Sequence, residues 1–289
     1  LILVRNLKVT SLSNDAYDLT WEVEETVEDV RDYDLFVERS EGQEGPFDRI
    51  SGPLVDEYLF RDVQAPQYYR NRQLYYRFHI VLRTTGEESF SEATLSQAPS
   101  DLIAVEIQRL ETVMMKEYSA RRVIILQRRT FGQRCHCFDT EKHRLTTRNC
   151  TECYGTGFAR GYTKPMISLM QFEPSLGRAS QSEHITDLGR TQTDIIGARL
   201  VVFPLLKAND LIVEVENIRW RVTGAVTYQH LRAAAAQSVT LFQIPENDIE
   251  YTVPIENFDF RTFPATPERA FTNPTNIDAV REGLRRTPA

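Results

Sequence analysis

All four cysteines of this 289-residue chain fall within nineteen positions, in the segment CHCFDTEKHRLTTRNCTECYGTGF (135–158). The pattern is Cys135-x-Cys137, twelve residues, then Cys150-x-x-Cys153. Two close pairs joined by a short loop suit a tetrahedral metal ion, because each pair forms a tight knuckle and the loop carries the second pair opposite the first. A structural zinc site held by the four cysteines is the reading this spacing favours; two disulfides and a redox dithiol are the alternatives. Gly155 and Gly157 follow Cys153 at alternate positions. Glycine there lets the backbone turn and lets amides point at the sulfurs, so both are expected to support the site. His136 and His143 lie inside the cluster, where a histidine among thiolate ligands is more often a bystander. Four thiolates leave no open coordination position, so zinc-dependent hydrolysis is not expected.

No other constellation poises a nucleophile. The chain lacks G-x-x-x-x-G-K-[ST], H-E-x-x-H and G-x-S-x-G. His79, His184 and His230 are isolated, and the pairs Glu24–Glu25 and Glu87–Glu88 read as solvated surface. A structural or binding protein, not an enzyme, is therefore expected. The net charge of −7 is unevenly spread: residues 1–100 hold 19 acidic against 10 basic side chains, and residues 116–164 hold 11 basic against 4 acidic. Arg128, Arg129, Arg134, Arg144, Arg148 and Arg160 make a zinc-dependent nucleic-acid binder conceivable. Phe131, Phe138, Tyr154 and Phe158 are too few for a base-stacking platform.

The elements that must carry this cluster read as mainly β. Over residues 1–98, Leu19, Trp21 and Val23 alternate with polar neighbours, as do Tyr33, Leu35 and Val37, and Tyr76, Phe78 and Ile80. Roughly seven short strands with turn signals between them argue a β-sandwich. Residues 99–130 read as a linker helix, about 101–120, and a strand. Ile103, Ile107, Leu110 and Met114 recur at helical spacing, and such a stripe more often faces a core than a partner. Val123–Leu126 is an apolar, β-branched run expected as a buried strand. The zinc module spans 131–164. Residues 165–258 hold five or six candidate strands, among them ARLVVFPLL and IEYTVP, suggesting a small barrel or sandwich with a tight hairpin at Glu216–Asn217. The polar stretch 173–194 reads as a long loop. Residues 259–289, with Pro264, Pro267, Pro274 and Pro288, read as an extended arm. No apolar run is long enough to span a membrane, and LILVRNLKVT is too short and too polar for a signal peptide. The missing initial Met points to a trimmed or processed start.

Several of these marks carry family resemblances. Trp21 on the second strand, Tyr76 at the start of YYRFHIV and the string GEESFSEA resemble a fibronectin type III domain over roughly residues 3–97, with Trp21 and Tyr76 as its anchors. No Arg-Gly-Asp occurs, so an integrin-type role has no support. CTECYGTG resembles half of the repeated cysteine unit of DnaJ-type chaperones, but the first pair does not match and no His-Pro-Asp occurs, which argues against a chaperone. The segment 101–255, through QRRTFGQRCHCFD, TRNCTECYGTGFARGYTKPM and DLIVEVENIRWRVTGAV, resembles a family of virion proteins from tailed bacteriophages. That resemblance implies a homo-oligomeric ring in the neck or head-to-tail connector, formed in the host cytoplasm and incorporated into the virion. Its expected partners are adjacent portal, connector or tail proteins and packaged DNA in the channel, with no membrane. A tail, baseplate or adhesion protein is the alternative.

Overall fold

The computed structural model describes residues 2–13, 16–26, 28–65, 73–96, 102–147, 149–173, 182–186, 189–193, 195–230 and 233–255. The chain is mainly β, as the alternation implies. The first unit places β1 (Val4–Ser13), β2 (Ala16–Val23) and β5 (Leu59–Asp62) in one antiparallel sheet. A second sheet runs β4 (Asp48–Arg49), β3 (Tyr33–Ser40), β6 (Tyr75–Leu82) and β7 (Glu88–Phe90), with β8 (Thr94–Leu95) continuing the edge beside β6. Three strands facing five, with chain-distant strands paired, is a Greek-key sandwich of the kind the fibronectin resemblance implies. Trp21 is 2% exposed and lies between the sheets, 4.6 Å from the ring of Phe78 and 6.5 Å from that of Tyr58. Tyr76 is fully buried, and its hydroxyl donates to Asp62 Oδ2 at the end of β5 (3.0 Å). Asp62 also accepts from Arg39 and from the amides of Gln64 and Ala65. The tyrosine thus ties one sheet to the chain end of the other through a carboxylate.

The second unit is a closed six-stranded antiparallel barrel: β12 (Met166–Glu173), β15 (Ile195–Leu200), β18 (Ala233–Gln243), β17 (Arg219–His230), β16 (Leu211–Val213) and β9 (Arg121–Leu126), which returns to β12. Its interior is filled by Val123, Ile125, Met170, Leu200, Ile212, Trp220, Val222 and Leu241. β9 carries apolar residues on both faces because its outer side, at Ile124 and Leu126, is covered by Tyr162, Ile244 and Val253. This strand therefore belongs to the barrel and not to a separate linker segment. The Glu216–Asn217 turn has positive φ at both residues, 69° and 62°, as a tight hairpin requires.

Three local expectations are corrected. IEYTVP is not a strand: Ile249–Thr252 is a 3-10 turn capped by Asp248, because Glu250 is drawn inward to Arg221 and Tyr162. ARLVVFPLL is a strand only as far as Leu200. The polar stretch 173–194 is not simply a loop, since β13 (Ser182–Thr186) and β14 (Gly189–Thr193) pair as an antiparallel ribbon beyond the barrel strands β12 and β15.

The helix α1 (Leu102–Met114) runs into a π-helical turn, Met115–Ser119. The expected core stripe is reversed. Ile103, Leu110 and Met114 are 57%, 50% and 58% exposed, and the face turned inward is Ala104, Gln108 and Met115. Small residues at Ala235 and Ala236 of β18 are buried, and Gln108 donates to the Ala234 carbonyl, so a close polar seat replaces apolar packing. The expected C-terminal arm, 259–289, lies outside the described residues.

The sandwich meets the barrel at Arg61, whose guanidinium lies 4.8 Å from the ring centre of Phe203. Arg61 Nε is 3.0 Å from Asp18 Oδ1, yet neither carboxylate oxygen of the fully buried Asp18 has an aligned hydrogen bond. Burial, against the opposing pull of Arg61, raises the Asp18 carboxyl to about 6. The folded chain then holds a proton there that the unfolded chain releases near pH 4. Stability is therefore expected to fall as pH rises through this interval, by up to about 3 kcal/mol. Urea denaturation of the protein and of Asp18→Asn at pH 4 to 8 should show the decline in the former and a flatter profile in the variant. Parallel profiles would contradict this assignment.

Candidate metal centre

The cysteine segment is inserted between β9 and β12, which are neighbours in the barrel. Past the barrel rim the two flanks stay zipped together: Thr163 N donates to the Gln127 carbonyl (2.9 Å), Arg129 N to Gly161 (2.9 Å), Ala159 N to Gln133 (2.9 Å) and Cys135 N to Gly157 (3.1 Å). Asp210 seats this stem on the rim by accepting the amides of Arg128 (2.8 Å) and Lys207 (2.7 Å). At the far end, β10 (Phe138–Asp139) and β11 (Arg144–Leu145) form a small hairpin between the two knuckles.

Each knuckle is fixed by backbone bonds. Phe138 N closes on the Cys135 carbonyl (2.9 Å), and Tyr154 N on that of Cys150 (2.8 Å). The Cys137 carbonyl accepts both the amide and the hydroxyl of Thr146, and that of Cys153 both the amide and the hydroxyl of Thr156. Gly155 and Gly157 have φ of 76° and 84°, so they supply the left-handed turns expected of them. The amides that approach sulfur are instead those of Cys137, toward Cys135, and of Glu152 and Cys153, toward Cys150. Gly161 was not singled out by the cysteine spacing, yet it is the tightest position: a Cβ there would lie 2.6 Å from the Cys153 carbonyl oxygen, and its φ is +64°. The only signal for it was its place in the string CYGTGFARGY.

Cys135, Cys137, Cys150 and Cys153 are all buried, and their sulfurs lie within 4.8 Å of one another. Cys135 Sγ is 3.7 Å from Cys150 Sγ, and Cys137 Sγ is 3.3 Å from Cys153 Sγ, so all four are free thiols and no disulfide is formed. Bonds of about 2.3 Å from one tetrahedral ion to four sulfurs place those sulfurs about 3.8 Å apart, which this cage fits. His136 is exposed and pairs with Glu152 (2.6 Å), and His143 is exposed on the β10–β11 turn, so neither belongs to the buried set. Burial pushes the Cys135 thiol up and the Cys137 thiol up to about 12. Burial acts in the same sense on Cys150, but the amides of Cys153 and Glu152 and the adjacent thiols outweigh it, bringing Cys150 down to about 7. The cage favours one thiolate on its own, and a cation is what allows the others to ionise beside it.

The basic charge of this module is largely answered from within the chain. Arg129 Nη2 lies 2.7 Å and Arg160 Nη1 2.8 Å from Asp56 Oδ2 of the sandwich, and Arg129 is 4% exposed. Arg134 pairs with Glu25, and Lys164 with Glu57. The asymmetry of charge along the sequence is thus in part an interface folded onto itself, which lowers the positive field available to a nucleic acid.

No protein-family model matches the chain, and no curated protein matches it by sequence. Among the described residues no helix is long and apolar enough to cross a membrane. Fold and site together define a β-rich sandwich-and-barrel protein with a buried four-cysteine cluster able to hold a metal ion.

Two outcomes follow. At pH 7 Cys135 and Cys137 are protonated, so uptake of a divalent ion must displace at least these two protons, and affinity must increase with pH. Calorimetry in buffers of different ionisation enthalpy measures this; a proton count near zero would contradict it. Gly161→Ala is expected to cost about 1–3 kcal/mol and to speed loss of the metal to a chelator, through backbone strain at the Cys153 carbonyl.

Proposed function

We propose that this chain is a structural virion protein of a tailed bacteriophage, assembling as a ring of identical copies in the neck or head-to-tail connector, with zinc as its structural ion. The observation that carries the reading is the metal module built on two adjacent strands of a closed barrel, with an amphipathic helix beside it whose apolar face is left outside. A closed barrel has no free edge, so copies must meet through side-chain surfaces rather than by strand addition. Ile103, Leu110, Val113 and Met114 on α1, with Val226 and Tyr228 on the neighbouring β17, are large apolar side chains left exposed. Exposed apolar surface of this kind is what contacts between copies bury. Zinc fits the site better than a hard cation because the donor set is four sulfurs with no oxygen. The neighbours in this reading are further copies, portal, connector or tail proteins, and DNA in the channel.

A second reading, an adhesion role for the sandwich in a tail or baseplate, draws on the outer face of the five-stranded sheet. There Arg49 lies over Phe36 (3.9 Å), and Arg77 over Phe47 (4.0 Å) and Phe90 (4.4 Å), with Phe90 52% exposed. The stretch APQYYRNRQLYY (65–76) is the aromatic platform that the sequence offers for such a role; its residues 66–72 lie outside the described residues, and Tyr76 is buried in the sandwich.

Solution mass and electron micrographs of the purified chain, with elemental analysis, test the first reading. Rings carrying one zinc per chain are expected. Leu110→Glu with Met114→Glu, or deletion of 256–289, should shift the mass toward monomer while leaving both units folded. A monomer at all concentrations, in a protein whose deletion of 1–98 abolishes attachment to host or particle, would favour adhesion instead.

A further inference from the structure

The residues that receive the sandwich bracket the cysteines. On the near side of Cys135 they are Arg129, Phe131, Gln133 and Arg134; beyond Cys153 they are Arg160 and Lys164. On the sandwich they meet Glu25, Thr26, Asp29, Asp56, Glu57 and Tyr58. Arg134 is the most dependent on the metal cage. Its guanidinium lies between two rings of the module, 4.1 Å from Phe138 and 4.2 Å from Phe158, before it reaches Glu25. Phe138 follows the first cysteine pair and Phe158 follows the second. The slot that holds Arg134 therefore exists only while the two halves of the module converge. Asp56 is likewise shared by Arg129 from one flank and Arg160 from the other, and Tyr58 donates to its second oxygen (3.0 Å). A half-buried carboxylate with two cations from opposite flanks holds those flanks at one spacing.

We propose that the metal centre is the clasp that fastens the sandwich to the barrel: an ion joining Cys135 and Cys137 to Cys150 and Cys153 ties off the free end of the stem, and the stem so tied keeps its flanks at the spacing that forms the receptor for Glu25 and Asp56. The proposal rests on the reading that the four thiols hold a metal. Loss of the ion lets the stem fray from its tip, first at the Cys135–Gly157 and Ala159–Gln133 bonds, which opens the Arg134 slot, and then toward Arg129 and Arg160. The sandwich is then held at Arg61 and Phe203 but released along the module.

The test uses the full chain, loaded with zinc, stripped by a chelator and reloaded, with the metal counted by native mass spectrometry. Hydrogen exchange is followed at residues 25–28 and 56–58 of the sandwich, distant in sequence from every cysteine, and at β3 and β6 as an internal control. Stripping is expected to speed exchange at 25–28 and 56–58 about tenfold, leave β3 and β6 unchanged, and reverse on reloading. The double variant Glu25→Gln, Asp56→Asn should bind one metal as before, exchange fast at these segments already, and respond less than about twofold to stripping. Metal loss with unchanged exchange overturns the clasp and leaves the metal site standing. A full chelator response in the double variant overturns it as well. Failure of the protein to bind any metal overturns the metal reading, and the clasp with it.

Discussion

The antiparallel pairing of β9 with β12 is the contact on which the rest of the molecule depends. It closes the barrel, and by closing it brings Ile125 and Met166 side by side. Everything between them must then leave and return through one narrow gate. A segment of that length with few large apolar residues cannot form a core of its own. Its order comes from the stem bonds that prolong the β9–β12 ladder, from the Asp210 seat at the rim, and from four thiols gathered at the tip. Each depends on the one before it: without the ladder the stem has no register, and without the stem the two knuckles do not face each other.

Charge follows the same architecture. The acidic sandwich and the basic module are separated in sequence and joined in space, so the groups that make the chain look polarised are the groups that hold it together. Burying Asp56 is favourable only because two guanidiniums and a phenol meet it, and burying Arg129 only because Asp56 and the Tyr162 carbonyl meet it. Removing either side leaves an unanswered charge in a water-poor interface. Asp18 is the counter-example: its burial raises the carboxyl, and the pull of Arg61 beside it offsets this only in part.

Much of this was legible beforehand, for identifiable reasons. Period-two alternation exposed the sandwich strands around Trp21, Val37 and Phe78, because each sheet there has one wet and one dry face. The two cysteine pairs were visible because ligand spacing is a local property. What failed was whatever depended on a distant partner. The α1 stripe looked like a core face, but the true seat is lined by alanines of β18, more than a hundred residues away, and alanine does not announce itself as a receptor. Val123–Leu126 read as a buried strand, yet nothing local said that it shares a sheet with β12 across the inserted module. Glu250 turned a strand-like IEYTVP into a 3-10 turn through bonds to Arg221 and Tyr162. Gly161 went unnoticed because its constraint is a close approach to another residue's carbonyl.

The stem also bears on how such a chain can change over generations. Because it departs from and rejoins the barrel at adjacent positions, a lineage could lengthen it, exchange its tip or trim it to a short turn without shifting the register of any barrel strand. The scaffold and the metal-bearing appendage are thus separately variable, and the contacts to be renegotiated when the appendage is altered are those of Asp210 at the rim, of Tyr162 with Glu250 and the back of β9, and of the acids of the sandwich.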